Sequence, residues 1–552
     1  MRAIKLNTDK GLITIAFLCF LFYFLLASLK PEGIFWSLDE GGKLIYIESV
    51  LREKNPSTAL IYPGKPLDPK YENLALYFYS LNNGEIYSWW QVGFPLLSLP
   101  FYKFFGFAGL YILPSIAGAL IVFFSAKITK FITKNQNLTY LMAFTVAFCS
   151  PVFFYSVTFW EHSLSVASIM MMTYLLLISI FQDQKGFLYI SGIMGSLAVF
   201  FRTEAILLIA GYWLVLVIIE RKKVVSFTLG LGITSLIWGT INYWLMGNPI
   251  SPNVQAVQSL TNFNGLANVG LKYIPYTLFN APIISAYSLG RGLLVVGTLL
   301  FALVIFFSLI KRFRLFSFIA FIGLCLVCFY VLIQPSMYRS VHGFILICPV
   351  VALVFTIYNT KIWKTYLNYF LLSFGGILVF LIGYSLRAWL AAGGLQWGPR
   401  YMLALYPLLL IPTLIGVREI LNSKNQLKNI VVYFSLIFGL FIGLGFQVRG
   451  YVTMVSTMNL YEQSAQELRK LNEEIIVTDC TWMPMVIPDL YWNGNIFTNP
   501  PGTTLLENIK NFGMNSYLSI DMLSCNTTYI DEVLELYQKH PGGLVIEKIE
   551  IN

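Results

Sequence analysis

GLITIAFLCFLFYFLLASLKPEGIFWSLDEGGKLIYIESVLREK, residues 11–54, sets an uninterrupted apolar run (11–29) directly before a polar turn and the acidic pair Asp39–Glu40. A helix needs about 20 mostly apolar residues to cross a hydrocarbon core, so the run reads as a membrane span. It is long for a signal-peptide core and lacks a small-x-small pattern before Pro31, which makes it a retained anchor. Working outward, further apolar runs lie at 108–126, 138–155, 164–181, 187–201, 205–220, 224–245, 292–310, 315–333, 343–359, 366–386, 401–417 and 429–446. Composition agrees: 57% of the 552 residues are hydrophobic and 12% are charged. That excludes an ordinary soluble domain, which has about a quarter charged residues. The fold class expected is an all-α polytopic membrane domain of about 13 transmembrane helices, with a small α/β domain after it.

The net charge of +10 suggests nucleic acid until the charges are placed. Lys and Arg in short loops are held on the cytoplasmic side. With the N-terminus inside, that side receives Arg2, Lys5, Lys10, Lys127, Lys130, Lys134, Lys185, Arg221, Lys222, Lys223, Lys311, Arg312, Arg314, Lys361, Lys364, Arg418, Lys424 and Lys428. Its only acids are Asp9, Asp183, Glu220 and Glu419. Topology therefore accounts for the charge, and no nucleic-acid partner is expected. The expectation is a multi-pass plasma (inner) membrane protein, its N-terminus cytoplasmic and its C-terminal part extracytoplasmic. Residues 1–450 form the membrane domain, including a first outer loop (30–107) with interfacial helices, and 460–552 form the extracytoplasmic α/β domain. In that tail the pattern predicts strands ending at Asp479 and at Ile496–Thr498, Tyr517–Ile520 and Leu544–Ile551. Helices are predicted at Thr503–Asn511 and Ile530–His540.

Seven cysteines make no disulfide framework over this length; Cys480 and Cys525 could pair in the tail. Cys325 and Cys328, although spaced CxxC, sit in an apolar helix with no second ligand pair and read as packing residues. Neither an internal repeat nor a low-complexity segment is visible.

The remaining polar groups gather at the outer ends of the spans: Asp39, Glu40, Glu161, His162, Arg202, Glu204, Arg291, Arg339, His342, Arg387 and Arg400. Ionisable groups beside membrane spans are costly, so this one-sided set points to a single outward-facing polar cavity. Ser37 with Glu40 is a capping box, and Asp39 suits the first turn of the following helix. That helix has Leu44, Ile47, Val50 and Leu51 on one side and could lie flat in the interface. The same residues also serve chemistry, with Asp39 as a general base and Glu40 assisting through a ligand hydroxyl or a divalent cation, Mg or Mn. In GGLQWGPRYMLALYPLLLIP (393–412), Arg400 near a helix N-terminus offers a phosphate site, with Trp397 and Tyr401 beside it; the alternative is an interfacial anchor. In FFRTEAILL (200–208), Arg202 and Glu204 are either a self-contained ion pair or a substrate contact. Glu161 and His162 of TFWEHSLS (158–165) are either a satisfied helix start or a contact to a substrate hydroxyl. Arg291, Arg339 and His342 together could surround an anionic lipid headgroup.

The order of these motifs resembles the GT-C class of integral-membrane glycosyltransferases, nearest the branch of protein O-mannosyltransferases and lipid A aminoarabinose transferases. The resemblance rests on the DE pair after the first span, GEIYSWWQVGFPLLSLPFY (84–102), the RTE turn at 202–204, GPRY at 398–401 and an outer soluble domain. It covers about residues 1–450. Gly93 and Pro95 have counterparts in the family pattern, whereas Trp89 and Trp90 stand where His or Tyr is often found. The resemblance implies transfer of a sugar, with inversion, from a polyprenyl-phosphate carrier to an acceptor glycan, lipid or protein on the extracytoplasmic face. It makes Asp39 the base, Glu40 its partner, and Arg400, Arg202 and Arg291 the phosphate ligands. The residues suit this: a lipid phosphate leaves without a general acid but needs cations, and the acceptor hydroxyl needs one base. No Gly-rich nucleotide loop is present on the cytoplasmic side, which argues against a nucleotide-sugar donor. A lipid or glycan transporter or flippase is the competing class, and a scaffold for an envelope partner is a third.

Overall fold

The computed structural model describes residues 9–53, 59–76, 79–82, 84–88, 90–246, 249, 274–279, 288–334, 340–357, 364, 366–385, 395–422, 425–471, 474–522, 539–540 and 543–551. Helix α1 (Lys10–Ser28) leads to α2 (Leu38–Arg52), whose first turn carries the acidic pair. A small antiparallel sheet follows, β1 (Ala59–Leu60), β2 (Tyr79–Asn82) and β3 (Glu85–Ser88), with β3 between the other two. Helix α3 (Gly93–Gly109) then enters the bundle. The bundle continues with α4 (Ile112–Thr133), α5 (Gln136–Phe148), the short α6 (Val152–Ser156), α7 (His162–Gln182), α8 (Lys185–Phe201), α9 (Ala205–Ile219) and α10 (Arg221–Met246). It closes with α11 (Ser288–Leu309), α12 (Arg314–Leu332), α13 (Leu367–Ser385), α14 (Leu405–Leu421) and the 44-residue α15 (Gln426–Arg469).

Among the described residues seven helices are long and apolar enough to cross a membrane: α1, α4, α7, α10, α11, α12 and α15. Helices α8, α9 and α13 are apolar but shorter. Several of the expected spans are not single helices: 108–126 crosses the break between α3 and α4, and 401–417 opens in a 3-10 turn (Arg400–Met402) before α14. The run 138–155 breaks between α5 and α6, where Pro151, lacking a backbone donor, caps the start of the short second helix. The run 343–359 is a helical turn (Phe344–Ile347) followed by a 3-10 segment (Pro349–Ile357), again divided at a proline. Helix α15 runs well past its expected end because Met454, Met458, Tyr461, Ala465 and Leu468 extend the buried stripe.

The tail builds a second, four-stranded sheet from β4 (Ile476–Thr478), β5 (Ile496–Thr498), β6 (Ser516–Met522) and β7 (Leu544–Glu550). The order is β5-β4-β6-β7, with the first three parallel and β7 antiparallel to β6. Short helices α16 (Met483–Val486) and α17 (Pro488–Asn493) and the longer α18 (Thr503–Asn511) connect the strands. Cys480 is disulfide-bonded; Cys525 and residues 530–538 of the expected last helix lie outside the described residues.

The tail is not insulated from the first loop. Ile45, Tyr46, Leu60, Leu74, Ile86 and Trp90 share one apolar core with Ile475, Val477, Met485, Phe497 and Ile509. Helix α2 therefore does not lie flat at an interface as its one-sided pattern suggested. It is clamped, with almost every residue from Asp39 to Ile47 buried. The sequence device is Gly41-Gly42. A Cβ on Gly41 would lie 1.4 Å from the Met485 carbonyl oxygen, and one on Gly42 would lie 2.3 Å from the Trp90 ring. Phe35 N donates to Val486 O at 2.9 Å and fixes the approach.

Candidate active site

The first turn of α2 is built as its sequence predicts. Glu40 Oε2 accepts from Ser37 N at 3.2 Å and from Ser37 Oγ at 3.3 Å, closing the capping box. Its other oxygen accepts from Phe159 N at 2.8 Å, and Trp160 Nε1 donates to Ser37 Oγ at 3.1 Å. Glu40 is thus buried and spent on backbone, which ties the α2 start to the loop before α7. Asp39, one residue away, is 9% exposed and meets Arg400: Nη1 donates to Oδ2 at 2.5 Å.

Arg400 is set by the chain before it. Gly398 adopts φ +73°, a conformation natural to glycine, and its N–H donates to Val341 O at 2.7 Å. The Arg400 N–H donates to Gln396 Oε1 at 3.0 Å, so the free amide expected here for a phosphate is already taken. That bond fixes the Gln396 amide, whose Nε2 donates to His342 Nδ1 at 2.7 Å. Ser340 Oγ donates to Gln396 O at 2.9 Å, so His342 Nε2–H is the donor in its 2.8 Å contact with Ser340 Oγ. His342 therefore supports Gln396. The Arg400 guanidinium lies 5.2 Å from the Trp160 ring centre and 5.3 Å from that of Tyr401.

A second ion cluster lies alongside. Glu161 takes Lys43 Nζ at 2.5 Å on Oε2 and Arg202 Nη1 at 2.8 Å on Oε1; Arg202 Nε donates to Glu204 Oε1 at 2.8 Å. Burial alone would raise the Glu161 carboxyl, but Lys43 and Arg202 carry it well below the ordinary carboxylate range. Burial likewise disfavours the Arg202 charge, and Glu204 with Glu161 outweigh it, holding the guanidinium protonated. Of the two readings of Arg202 and Glu204, the ion pair is present, and Glu161 is a strut between helices.

Beside the two clusters lies a small, half-open cleft lined by the polar His162, Ser165, Arg202, Glu204, Arg400 and Tyr401 and by the apolar Ile169, Leu208 and Phe380. His162 is 2% exposed, and neither ring nitrogen has a hydrogen-bond partner among the described residues. Each unpaired buried polar group costs about 1–3 kcal/mol, so this ring is kept at an expense to stability. Trp397 is buried elsewhere: Nε1 donates to Phe446 O at 2.9 Å and the ring stacks on Phe154. The Arg291 side chain, Arg339, Arg387 and Trp89 lie outside the described residues.

Sequence reading missed Lys43, Gln396 and Trp160. Lys43 passed for a solvated charge on an amphipathic helix, though its place one turn after the acidic pair was a signal. Gln396 and Trp160 carried no signal beyond proximity to GPRY and to Glu161. As for a divalent cation, no group of three or more His, Cys, Asp and Glu side chains converges among the described residues. Asp39 is held here by Arg400, and Glu40 by Ser37 and the Phe159 backbone.

Lys30, just after α1, is buried, donates to Val157 O at 2.6 Å and lies 3.7 Å from the Tyr111 ring centre. Burial pushes its ammonium down to about 7, with Glu40 opposing. Above about 7 the folded chain has released this proton, whereas the unfolded chain keeps it up to the ordinary lysine value of 10.5. Stability is therefore expected to rise with pH across that window. Lys30→Met is expected to flatten the slope in unfolding curves taken through it, and an unchanged slope places the titration on another group.

No family model matches the chain, and no curated protein sequence matches it. The fold is that of the integral-membrane GT-C glycosyltransferases whose motif order the sequence resembles. ArnT from Cupriavidus metallidurans in the apo state superposes with a TM-score of 0.50, covering 98% of both chains at 9% identity. The same protein bound to undecaprenyl phosphate gives 0.48 with the same coverage and identity. The apo oligosaccharyltransferase of Archaeoglobus fulgidus gives 0.48, covering 93% of this chain and 70% of the other at 14% identity.

Proposed function

We propose that this protein is a membrane glycosyltransferase that moves a sugar, with inversion, from a polyprenyl-phosphate carrier to an acceptor hydroxyl of a glycan, lipid or protein on the extracytoplasmic face. The observation that carries the reading is the meeting of Asp39 with Arg400 at 2.5 Å beside a cleft that also holds Arg202. ArnT, whose fold the chain shares, has been solved with undecaprenyl phosphate. Asp39 takes the acceptor proton as the acceptor oxygen attacks the anomeric carbon. The bond from that carbon to the phosphate oxygen breaks, and its electron pair stays on the phosphate, whose growing charge Arg400 holds. Glu40 fixes the carboxylate-bearing turn, and Glu161 and Glu204 hold Arg202 at the cleft wall.

The Asp39–Arg400 pair has a direct kinetic meaning. A lipid phosphate entering the cleft competes with Asp39 for the guanidinium, and its success frees the base beside the reacting centre. The test is transfer or hydrolysis of a panel of radiolabelled polyprenyl-phosphate sugars by the purified protein in lipid nanodiscs. Consumption of one of them is the expected result. If none is bound or consumed, the donor reading fails, and flux of the same lipids across vesicles becomes the test of the transporter alternative.

A further inference from the structure

Every acid at the cleft is already matched. Asp39 holds Arg400, Glu161 holds Lys43 and Arg202, and Glu204 holds Arg202 again. Among these groups His162 stands apart, because its two ring nitrogens are buried at the cleft with no partner among the described residues. Three aromatic rings surround it, with centroids at 5.3 Å (Trp160), 5.5 Å (Tyr155) and 6.4 Å (Tyr401). We propose that His162 is a specificity-determining residue that reads one hydroxyl of the donor's sugar, an inference resting on the donor reading above.

The chemistry narrows the ligand. A neutral imidazole presents one N–H and one lone pair, so a satisfying ligand must both donate and accept. An ionised phosphate oxygen only accepts; it pairs with the N–H and turns its charge toward the lone pair. A hydroxyl serves either nitrogen, accepting from the N–H or donating to the lone pair, and a sugar carries further hydroxyls for the nitrogen on the other edge of the ring. Tyr401, at the same cleft, offers a flat, electron-rich surface that the C–H side of a sugar ring suits. Arg400, at the same cleft and with its own Nε unpartnered, places the phosphate next to this position. The sugar is thereby assigned to the His162 side and the phosphate to the Arg400 side.

The experiment uses the full chain in nanodiscs and compares binding of bare undecaprenyl phosphate with a panel of undecaprenyl-phosphate sugars, for wild type, His162→Phe and His162→Gln. Wild type is expected to bind at least one glycosylated lipid more tightly than the bare phosphate. His162→Phe is expected to lose that preference, weakening the glycosylated lipid by about tenfold while leaving the bare phosphate unchanged. His162→Gln, whose amide also donates and accepts, is expected to restore part of the preference. Its thermal unfolding, with that of His162→Phe, reports the fold, and the glutamine variant carries the comparison if phenylalanine unfolds. Equal weakening of both lipids, or no change in either, overturns the sugar-reading role while the donor reading stands. If wild type binds neither lipid, the donor reading itself has failed and this assignment falls with it.

Discussion

Transfer by an Asp39→Asn variant is expected to drop by about 10²–10⁴-fold, the usual contribution of a positioned general base. Asparagine keeps the shape of the side chain and of the α2 first turn, and Glu40 retains its bonds to Ser37 and Phe159, so the fold is expected to survive. The more discriminating expectation concerns binding. Asp39 competes for Arg400 in the empty site, and the amide carries no charge to hold it. Affinity for bare undecaprenyl phosphate is therefore expected to stay equal or to increase as turnover collapses. Equilibrium binding and single-turnover assays on the same preparation check both halves. A variant that transfers at the wild-type rate, or that loses donor affinity in step with activity, removes Asp39 from the role of base.

The largest loss of stability is expected from Glu161→Ala. Glu161 is 5% exposed and is the shared counter-ion of Lys43 and Arg202. Breaking a buried pair by removing one partner costs about 3–5 kcal/mol, because the surviving charge is left desolvated. Here two cations survive, and among the described residues Arg202 keeps a second carboxylate, Glu204. Adding Lys43→Met to Glu161→Ala is expected to recover part of the loss, since the orphaned ammonium goes with its carboxylate. Denaturant unfolding of wild type, the two single variants and the double variant closes the cycle. If Glu161→Ala unfolds with the wild type, the bridge is not holding α2 to the bundle.

Much of the fold was legible because apolar runs of membrane length are a local property. Most of the expected runs fall on helices, seven of them of membrane length among the described residues, and Thr503–Asn511 and Ile496–Thr498 have the predicted bounds. Local polar devices were legible for the same reason. The Ser37–Glu40 box spans three residues, and Arg202–Glu204 spans two. What could not be read is pairing across the chain. Asp39 and Arg400 are 361 residues apart, and Lys43 finds Glu161 from another helix. Nothing in a single sequence links such positions; only the sharing of one end of several spans hinted at it. His342 shows a related ambiguity. A histidine at a span end offers the same signal whether it faces a ligand or, as here, orients a glutamine.

The closeness of Gly41 to the Met485 carbonyl bears on how the protein is made. Helix α2 is synthesised long before Met485, whose carbonyl lies against it. Until then it has Leu60, Leu74, Ile86 and Trp90 of the first loop beside it, but not the residues after 474 that share the same core. The setting of the acidic turn is therefore completed late, and a ribosome that stops before Met485 leaves a membrane bundle whose α2 lacks part of its clamp.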